Sequence, residues 1–280
     1  MSRQGICLQF FKTVFMLLCL SALQAHAGEP VARIAIIIDD LGQQKSAGLK
    51  TAALPGPVAC AVLPHTPWAA RVANEAHDAG KEVLLHLPLQ AMETSRLAGT
   101  GEISLDNSRD ELFRIFATNM STVPHVSGVN NHMGSLITRH PGHMEWLMQA
   151  IAEAESDGQQ LFFVDSRTTA LTVGFDVAVE QGVPAASRNV FLDDDDSEVA
   201  IRQQFERLIA MALRDGQALA VGHPYPATLK VLNEQLPLLS QRGVELVSVR
   251  DYIDDPAAGA SPEIVPPAAD HNTPVVAVQP

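Results

Sequence analysis

The sequence predicts an α/β fold, an irregular (β/α) barrel of about seven to eight parallel strands. Short apolar runs alternate along the chain with stretches whose apolar residues recur at helical spacing, as in a parallel sheet with helical crossovers. Most of the runs are apolar at consecutive positions, which is expected of strands buried on both faces. About eight such strand–helix units in ~225 residues favour a closed barrel over the alternative, an open doubly wound sheet.

The predicted strands and helices follow one another through the whole of this region. The strands are Ile34–Ile38, Val58–Leu63, Val83–His86, Val126–Val129, Leu161–Val164, Ala186–Phe191, Ala218–Val221 and Val244–Val249. Apolar stripes predict helices near residues 68–79, 112–120, 147–154, 205–212 and 229–239. We expect Pro237 to kink the last helix, because proline lacks a backbone donor and clashes with the preceding turn.

The first 27 residues are predicted to be a secretory signal peptide. Arg3 and Lys12 supply positive charge, Thr13–Leu23 is an apolar core, and Ala25–Ala27 offers a small-x-small cleavage site. The apolar core is shorter than the roughly 20 residues that span a bilayer. Cleavage near Ala27 would release a periplasmic or secreted protein, and the mature chain is predicted to contain no transmembrane segment.

Composition divides the remaining chain and excludes one class of partner. Residues 28–254 are predicted to form a single barrel domain, because no linker-like change in composition interrupts them. Residues 255–280 are rich in proline and alanine without periodicity, which predicts a disordered tail. The chain has 19 Lys and Arg against 32 Asp and Glu, a net charge of −13, and no cationic run. Nucleic acid is therefore not expected as a partner.

Histidine and acidic residues recur where the predicted strands end, which is where barrels of this kind carry their reactive groups. The residues at these positions are Asp39, Asp40, His65, His86, Asn131, His132, Ser135, Asp165 and His223. The C-terminal ends of parallel strands meet at one end of a barrel, so these side chains are predicted to form one site.

The adjacent carboxylates Asp39 and Asp40 can face one pocket only if the chain turns there, and Gly42 favours such a turn. Two carboxylates this close repel each other unless a cation or a shared proton stabilises them. The alternative is that Asp40 caps a helix after the strand. Asp40, His86 and His132 are candidate metal ligands, because carboxylate and imidazole together suit Zn²⁺ and similar divalent ions.

The other residues at the strand ends are given catalytic and substrate-binding roles. Asp39 is the candidate general base, and His223 is the candidate acid that protonates the leaving group. Asp165 is the carboxylate expected to orient that histidine. The predicted substrate-binding residues are His65, Asn131 and Ser135. For His65, metal binding and support of its own loop stay open as alternatives.

The acidic run Asp193–Asp196 lacks the alternating ligand spacing of a calcium-binding loop. We interpret it as a solvated loop that also provides the cap of a helix starting near Ser197, because acidic side chains are favourable at a helix N-terminus.

Residues 32–253 resemble the polysaccharide deacetylases with a NodB-type domain, and more closely their divergent, YibQ-like exported branch. The family's first motif is an Asp-Asp pair of base and metal ligand, which here matches Asp39 and Asp40. Gly80–His86 resembles the first half of the family's His-x-x-x-His motif, whose second histidine is replaced by Gln90. The resemblance to the divergent branch implies that His132, in its Asn-His-Met-Gly-Ser segment, substitutes as the ligand.

Two further segments, Val164–Ser166 and Gly222–Pro224, resemble the family's fourth motif and the histidine motif that supplies the acid. The resemblance implies an exported hydrolase that uses a divalent metal, Zn²⁺ first, to remove N-acetyl groups from an envelope polysaccharide. The family's Arg-x-Pro-x-Gly motif is absent, so the partner that would orient Asp39 is not identified. With Gln90, this absence motivates the alternative of a periplasmic protein that binds metal or glycan without turnover.

Overall fold

The computed structural model describes residues 31–93, 98–156 and 158–255. The predicted signal peptide, residues 1–27, and nearly all of the predicted tail, residues 255–280, lie outside the described residues, so both stay predictions. Within the described part of the chain, no helix combines the length and the apolar character of a membrane span.

Strands and helices alternate along the described chain. The strands are β1 Ala32–Leu41, β2 Ala59–Val62, β3 Val83–Leu89, β4 Val126–Met133, β5 Glu155–Ser156, β6 Gln159–Gln160, β7 Phe162–Asp165, β8 Ala185–Ser187, β9 Val190–Phe191, β10 Gln217–Gly222 and β11 Val244–Leu246. The α-helices are α1 Lys45–Ala52, α2 Ala69–Asp78, α3 Arg109–Met120, α4 Pro141–Glu153, α5 Gly174–Glu180, α6 Glu198–Asp215, α7 Pro226–Gln235 and α8 Val249–Asp254. Short 3₁₀ helices cover Ile137–Arg139 and Leu236–Arg242.

One 9-stranded sheet carries the fold, in the order β8-β7-β4-β3-β2-β1-β10-β9, and β11 also pairs with β1. Every pairing within it is parallel. The end strands of this path, β8 and β9, follow each other in the chain and are joined by Arg188 and Asn189 alone. The predicted α/β fold of parallel strands is confirmed, and the two edges of the curved sheet are linked by the chain itself.

The two faces of the sheet bury different side chains, which explains why the strands are apolar at consecutive positions. Along β1, Ile36 and Ile38 belong to the large cluster that the surrounding helices cover, whereas Ile37 belongs to a second, smaller cluster. Helix α8 contributes Val249 and Tyr252 to this smaller cluster. The face of the sheet that carries the smaller cluster is its inner face. It packs against itself and against α8, whereas a doubly wound sheet requires a second layer of helices there.

Two predicted elements differ from the structure in a way that has a physical cause. The single strand predicted at Ala186–Phe191 is two strands, because β8 pairs with β7 while β9 pairs with β10, at opposite ends of the sheet. The helix predicted to kink at Pro237 instead ends as an α-helix at Gln235 and continues as a 3₁₀ helix through Arg242.

Candidate metal centre and active site

A β-bulge brings both carboxylates of β1 to the same pocket. From Ile38 to Leu41, three residue steps on β1 lie opposite two steps on β2. Asp40 has a left-handed backbone with φ of 58°, so the turn occurs at this residue itself. A bulge re-aims the side chains beside it. Asp39 Oδ1 consequently lies 3.7 Å from His86 Nδ1, and Asp40 Oδ1 lies 3.2 Å from His86 Nε2.

Asp40, His86 and His132 form a compact group of potential metal ligands. His132 Nδ1 lies 2.9 Å from Asp40 Oδ1 and 3.1 Å from His86 Nε2. Atoms that bind one Zn²⁺ at about 2.0–2.2 Å necessarily lie within ~4 Å of one another, and these three do. Asp40 Oδ1 is buried and lacks a well-aligned hydrogen bond despite its two close nitrogens. Lone pairs that converge on a shared point fit a bound cation better than they fit one another.

Charge within this group is balanced by a proton when no cation is bound. Burial raises the pKa of Asp40, but contacts with His132 and His86 outweigh it and hold the pKa well below its usual range. Burial lowers the pKa of His86, but Asp39 and Asp40 outweigh it and raise the pKa to about 9. A protonated His86 thus stands between two carboxylates, and a divalent cation would displace that proton. Asp40 also lies well before α1, whose N-cap is Gln44, so it is not a helix cap.

Asn130 on β4 connects this group to Asp39. Its Oδ1 lies 2.9 Å from His86 Nδ1, and its Nδ2 donates to Asp39 Oδ1 at 2.8 Å. The sequence predicts a substrate-binding role for the neighbouring Asn131 and assigns none to Asn130. Strand alternation contains the missing signal, because residues two apart on a strand share a face, and Asn130 therefore shares one with His132.

His223 approaches Asp40 from the end of β10, and Asp193 orients it. His223 Nδ1 lies 3.0 Å from Asp193 Oδ1, while its Nε2 lies 3.7 Å from Asp40 Oδ2. Thr228 Oγ1 and the His223 backbone N–H both donate to the other oxygen of Asp193. Burial lowers the pKa of His223, but the hydrogen bond with Asp193 outweighs it, so the pKa is raised. A cationic imidazole with Nε2 towards the centre can donate a proton there.

The prediction of a solvated acidic run is wrong for Asp193, whose side chain is buried, and right for the exposed Asp194–Asp196. The helix α6 begins near Ser197 as predicted, but its cap is Ser197 and not the acidic run, because Ser197 Oγ accepts a hydrogen bond from the Ala200 N–H. Asp193 follows β9 by two residues, so its position at a strand end, like that of the other site residues, was the signal that could have identified it.

Comparison with known proteins adds the family. The model of the divergent polysaccharide deacetylases matches residues 36–253. The chain belongs to this family. The uncharacterized protein YibQ of Escherichia coli K12 is 36% identical over 245 residues, covering 87% of this chain and 75% of YibQ. An uncharacterized protein of Haemophilus influenzae is 34% identical over 218 residues, covering 78% of this chain and 75% of its own length.

Among solved structures, the uncharacterized protein ATU2773 from Agrobacterium tumefaciens C58 superposes with a TM-score of 0.74 at 22% identity. The match covers 80% of this chain and 89% of that one. At this level of identity the likeness shows the fold, and the chemistry of this divergent deacetylase family member has to be argued from its own residues.

Gln90, which stands where the wider family has its second motif histidine, anchors a loop in this family member. Its Oε1 accepts a hydrogen bond from the Leu105 N–H at 2.9 Å, and its backbone N–H donates to the Ile103 carbonyl. The side chain that completes the ligand group comes instead from His132 on the next strand along the chain.

Asp165 is buried at the end of β7, where its own loop engages the carboxylate. It accepts hydrogen bonds from the Arg167 N–H at 2.8 Å, Thr172 Oγ1 at 2.7 Å and the Phe175 N–H at 3.3 Å. Burial raises the pKa of Asp165, and these hydrogen bonds oppose the rise. The carboxylate that contacts His223 is Asp193, so Asp165 shapes the loop after β7.

The three predicted substrate-binding residues lie at different places. His65 is exposed, and its Nε2 lies 2.9 Å from Asn119 Oδ1. Asn131 is buried and hydrogen-bonds with main-chain groups at the ends of β4 and β7. Ser135 Oγ accepts from the Met92 N–H at 3.0 Å. None of the three joins the ligand group, and substrate binding by these residues stays a prediction.

Left-handed backbone at non-glycine residues concentrates at this end of the barrel. Four such residues are at or just after the ends of strands: Asp40, His65, Met133 and Arg167. A fifth, His125, precedes β4. Each such conformation costs roughly 1–2 kcal/mol and persists only where the surrounding structure holds it, often at a functional site.

Proposed function

We propose that this protein is a metal-dependent hydrolase that removes N-acetyl groups from an envelope polysaccharide, with Zn²⁺ as the first candidate ion. The observation that carries the proposal is the convergence of Asp40, His86 and His132 beside Asp39 and His223. Ligands, base and acid of an amide hydrolysis are then within reach of one another. Export to the envelope rests on the predicted signal peptide.

Each residue has a defined part in the hydrolysis of an amide. A divalent ion held by the three ligands supplies Lewis-acid chemistry, polarising the carbonyl and acidifying water. Asp39 accepts the proton of the attacking water, and burial raises its pKa, which makes it a stronger base. As the C–N bond breaks, His223 gives its proton to the departing amine nitrogen, and acetate is the other product. Asp193 raises the pKa of His223 and orients its ring.

The surface around the centre supports a carbohydrate substrate. Among the tryptophan, tyrosine and phenylalanine residues that the structure describes, the exposed ones are Trp68 at 39% and Tyr225 at 42%. The Tyr225 ring lies 5.5 Å from the His223 ring. The backbone N–H of Trp68 donates to the Gly42 carbonyl, which is two residues after Asp40. They follow β10 and β2, the strands on either side of β1. Aromatic rings with one apolar face suit the C–H faces of sugars.

The proposal is tested by acetate release from N-acetylated oligosaccharides and peptidoglycan fragments. The full chain is stripped of metal, reloaded with Zn²⁺ or Co²⁺, and compared with the Asp39→Asn variant. We expect release to require the metal, and Asp39→Asn to lower it by about 10²–10⁴-fold while the metal stays bound. Trp68→Ala and Tyr225→Ala should mainly raise KM, by about 10-fold. Metal-loaded wild-type protein that releases no acetate from any of these substrates would refute the proposal.

A second candidate, a metal- or glycan-binding protein without turnover, is favoured by one observation. Gln90 holds a loop at the position of an expected ligand histidine, so one motif of the wider family has lost its usual chemistry. This candidate requires tight binding of metal and oligosaccharide together with no acetate release. Calorimetric titration of the metal-loaded protein with oligosaccharides separates it from the hydrolase, and Tyr225→Ala should weaken that binding.

A further inference from the structure

We propose that Asn130 is a positioning residue that fixes where the protons sit in this centre. One end of its amide selects the tautomer of His86, and the other end holds Asp39 ready to accept a proton. The part that concerns Asp39 rests on the proposed function. The part that concerns His86 requires only that a metal ion binds, so the two can be tested separately.

The hydrogen-bonding capacity of the groups determines which way the amide points. A carboxylate can only accept hydrogen bonds, so the amide nitrogen of Asn130 faces Asp39, at 2.8 Å. The carbonyl oxygen of the same amide then faces His86 Nδ1, at 2.9 Å, and can only accept. His86 Nδ1 must therefore carry a hydrogen. When the ring is neutral, its lone pair is on Nε2, the atom that faces Asp40 and His132.

Burial locks this arrangement. Asn130, Asp39 and His86 are all buried, so water has little access to replace either hydrogen bond. The second hydrogen of the amide has a partner as well, because Asn130 Nδ2 lies 3.3 Å from Ser166 Oγ. A rotated amide would place its oxygen against the Asp39 carboxylate, and that contact would be repulsive.

The arrangement couples the ligand to the base. A metal-bound histidine commonly donates its other N–H to an oxygen that orients the ring, and the removal of such a partner typically weakens metal binding 10- to 100-fold. Here that oxygen belongs to an amide whose nitrogen also orients the carboxylate beside the metal group. Asn130 thus performs for Asp39 the orienting role that the absent arginine motif leaves open.

Two substitutions separate the functions of the two ends. Asn130→Leu removes both hydrogen bonds, and we expect Zn²⁺ affinity of the metal-stripped full chain to fall 10- to 100-fold in competition with a chromophoric chelator. Asn130→Asp keeps an oxygen that accepts from His86 but cannot donate to Asp39. We expect it to bind Zn²⁺ at least as tightly as wild type, yet to release acetate at least ~100-fold more slowly, because two adjacent carboxylates retain a shared proton.

The matched control is Asn131→Leu, which removes an equally buried amide that contacts neither Asp39 nor His86. It should lower Tm without weakening Zn²⁺ binding. Asn130→Ala replaces the leucine variant if that variant does not fold, and the same loss of Zn²⁺ affinity is expected.

Each possible result bears on the proposal. Wild-type Zn²⁺ affinity in Asn130→Leu or Asn130→Ala, or equal weakening in Asn130→Asp, would overturn the role towards His86. Wild-type acetate release by Asn130→Asp would overturn the role towards Asp39. If wild-type protein releases no acetate at all, the proposed function fails, whereas the Zn²⁺ affinities still decide the role towards His86.

Discussion

The two ends of the sheet each carry a group of buried charged side chains, and the two groups differ in their hydrogen-bond partners. At the C-terminal ends of the strands, Asp39, Asp40 and His86 are packed together, and a carboxylate oxygen has no well-aligned partner. Before β3, at the opposite end, Glu82 accepts hydrogen bonds from two backbone N–H groups at the start of α8, and Lys81 donates to two backbone carbonyls. Main-chain groups therefore satisfy Glu82 and Lys81, whereas Asp39, Asp40 and His86 at the other end are available to a ligand.

Stability and metal binding therefore depend on different charged groups in this fold. Charged groups before β3 should contribute to the free energy of unfolding and leave metal binding alone. Asp39, Asp40 and His86 at the other end should control metal binding and turnover. Substitutions at each end of the sheet test this difference.

Asp193→Asn should lower kcat by about 10²–10³-fold. Thr228 and the His223 N–H donate to one carboxylate oxygen, so the amide oxygen of the variant would take that place and its NH₂ would face His223 Nδ1. His223 would then be neutral and a poor acid. Steady-state kinetics of the Zn²⁺-loaded protein measure this effect. A kcat equal to that of wild type would show that Asp193 is structural only.

Glu82→Ala should lower the free energy of unfolding by about 3 kcal/mol, because two buried N–H groups at the start of α8 lose a charged acceptor. Its Zn²⁺ affinity should equal that of wild type. Asp40→Asn is the counterpart at the other end, and it should weaken Zn²⁺ binding. Urea denaturation and Zn²⁺ titration of both variants measure the difference. Equal loss of Zn²⁺ affinity in both would remove the distinction between the two ends.

A smaller effect concerns pH. Since the pKa of His86 is about 9 in the folded protein against 6.5 ordinarily, its protonation stabilises the metal-free protein fully below pH 6.5. That contribution is lost as pH rises through 9. We expect the metal-free protein to lose roughly 2 kcal/mol between pH 6.5 and 8. With Zn²⁺ present the slope should reverse, because the ion competes with this proton. Metal-free His86→Gln protein should lack this slope, and an unchanged slope would contradict the assignment.

Strand periodicity and the rule that parallel strands end together predicted the fold and most of the site. They identified Asp40, His86 and His132 from separate strands, which the structure brings together. Neither rule gives the direction in which a side chain points where the backbone is irregular. They gave no role to Asn130, which lies on the opposite face of the strand from Asn131.

Asp193 was missed for a related reason. The sequence shows four consecutive acids, and composition alone describes them as one solvated run. The structure separates them, because the first is drawn beneath Thr228 and His223 while the others stay exposed. Similarly, no local pattern shows that the run at Ala186–Phe191 is divided between the two ends of the sheet. Tertiary pairing decides such cases.

The central claim is that Asp40, His86 and His132 bind one divalent cation. The most direct test is Zn²⁺ titration of the metal-stripped full chain, wild type beside Asp40→Asn, with Asp165→Asn as the control that neutralises another buried carboxylate at a strand end. We expect one equivalent bound by wild type, an affinity at least ~100-fold weaker in Asp40→Asn, and one within about threefold of wild type in Asp165→Asn. Equal affinities in all three proteins would contradict it.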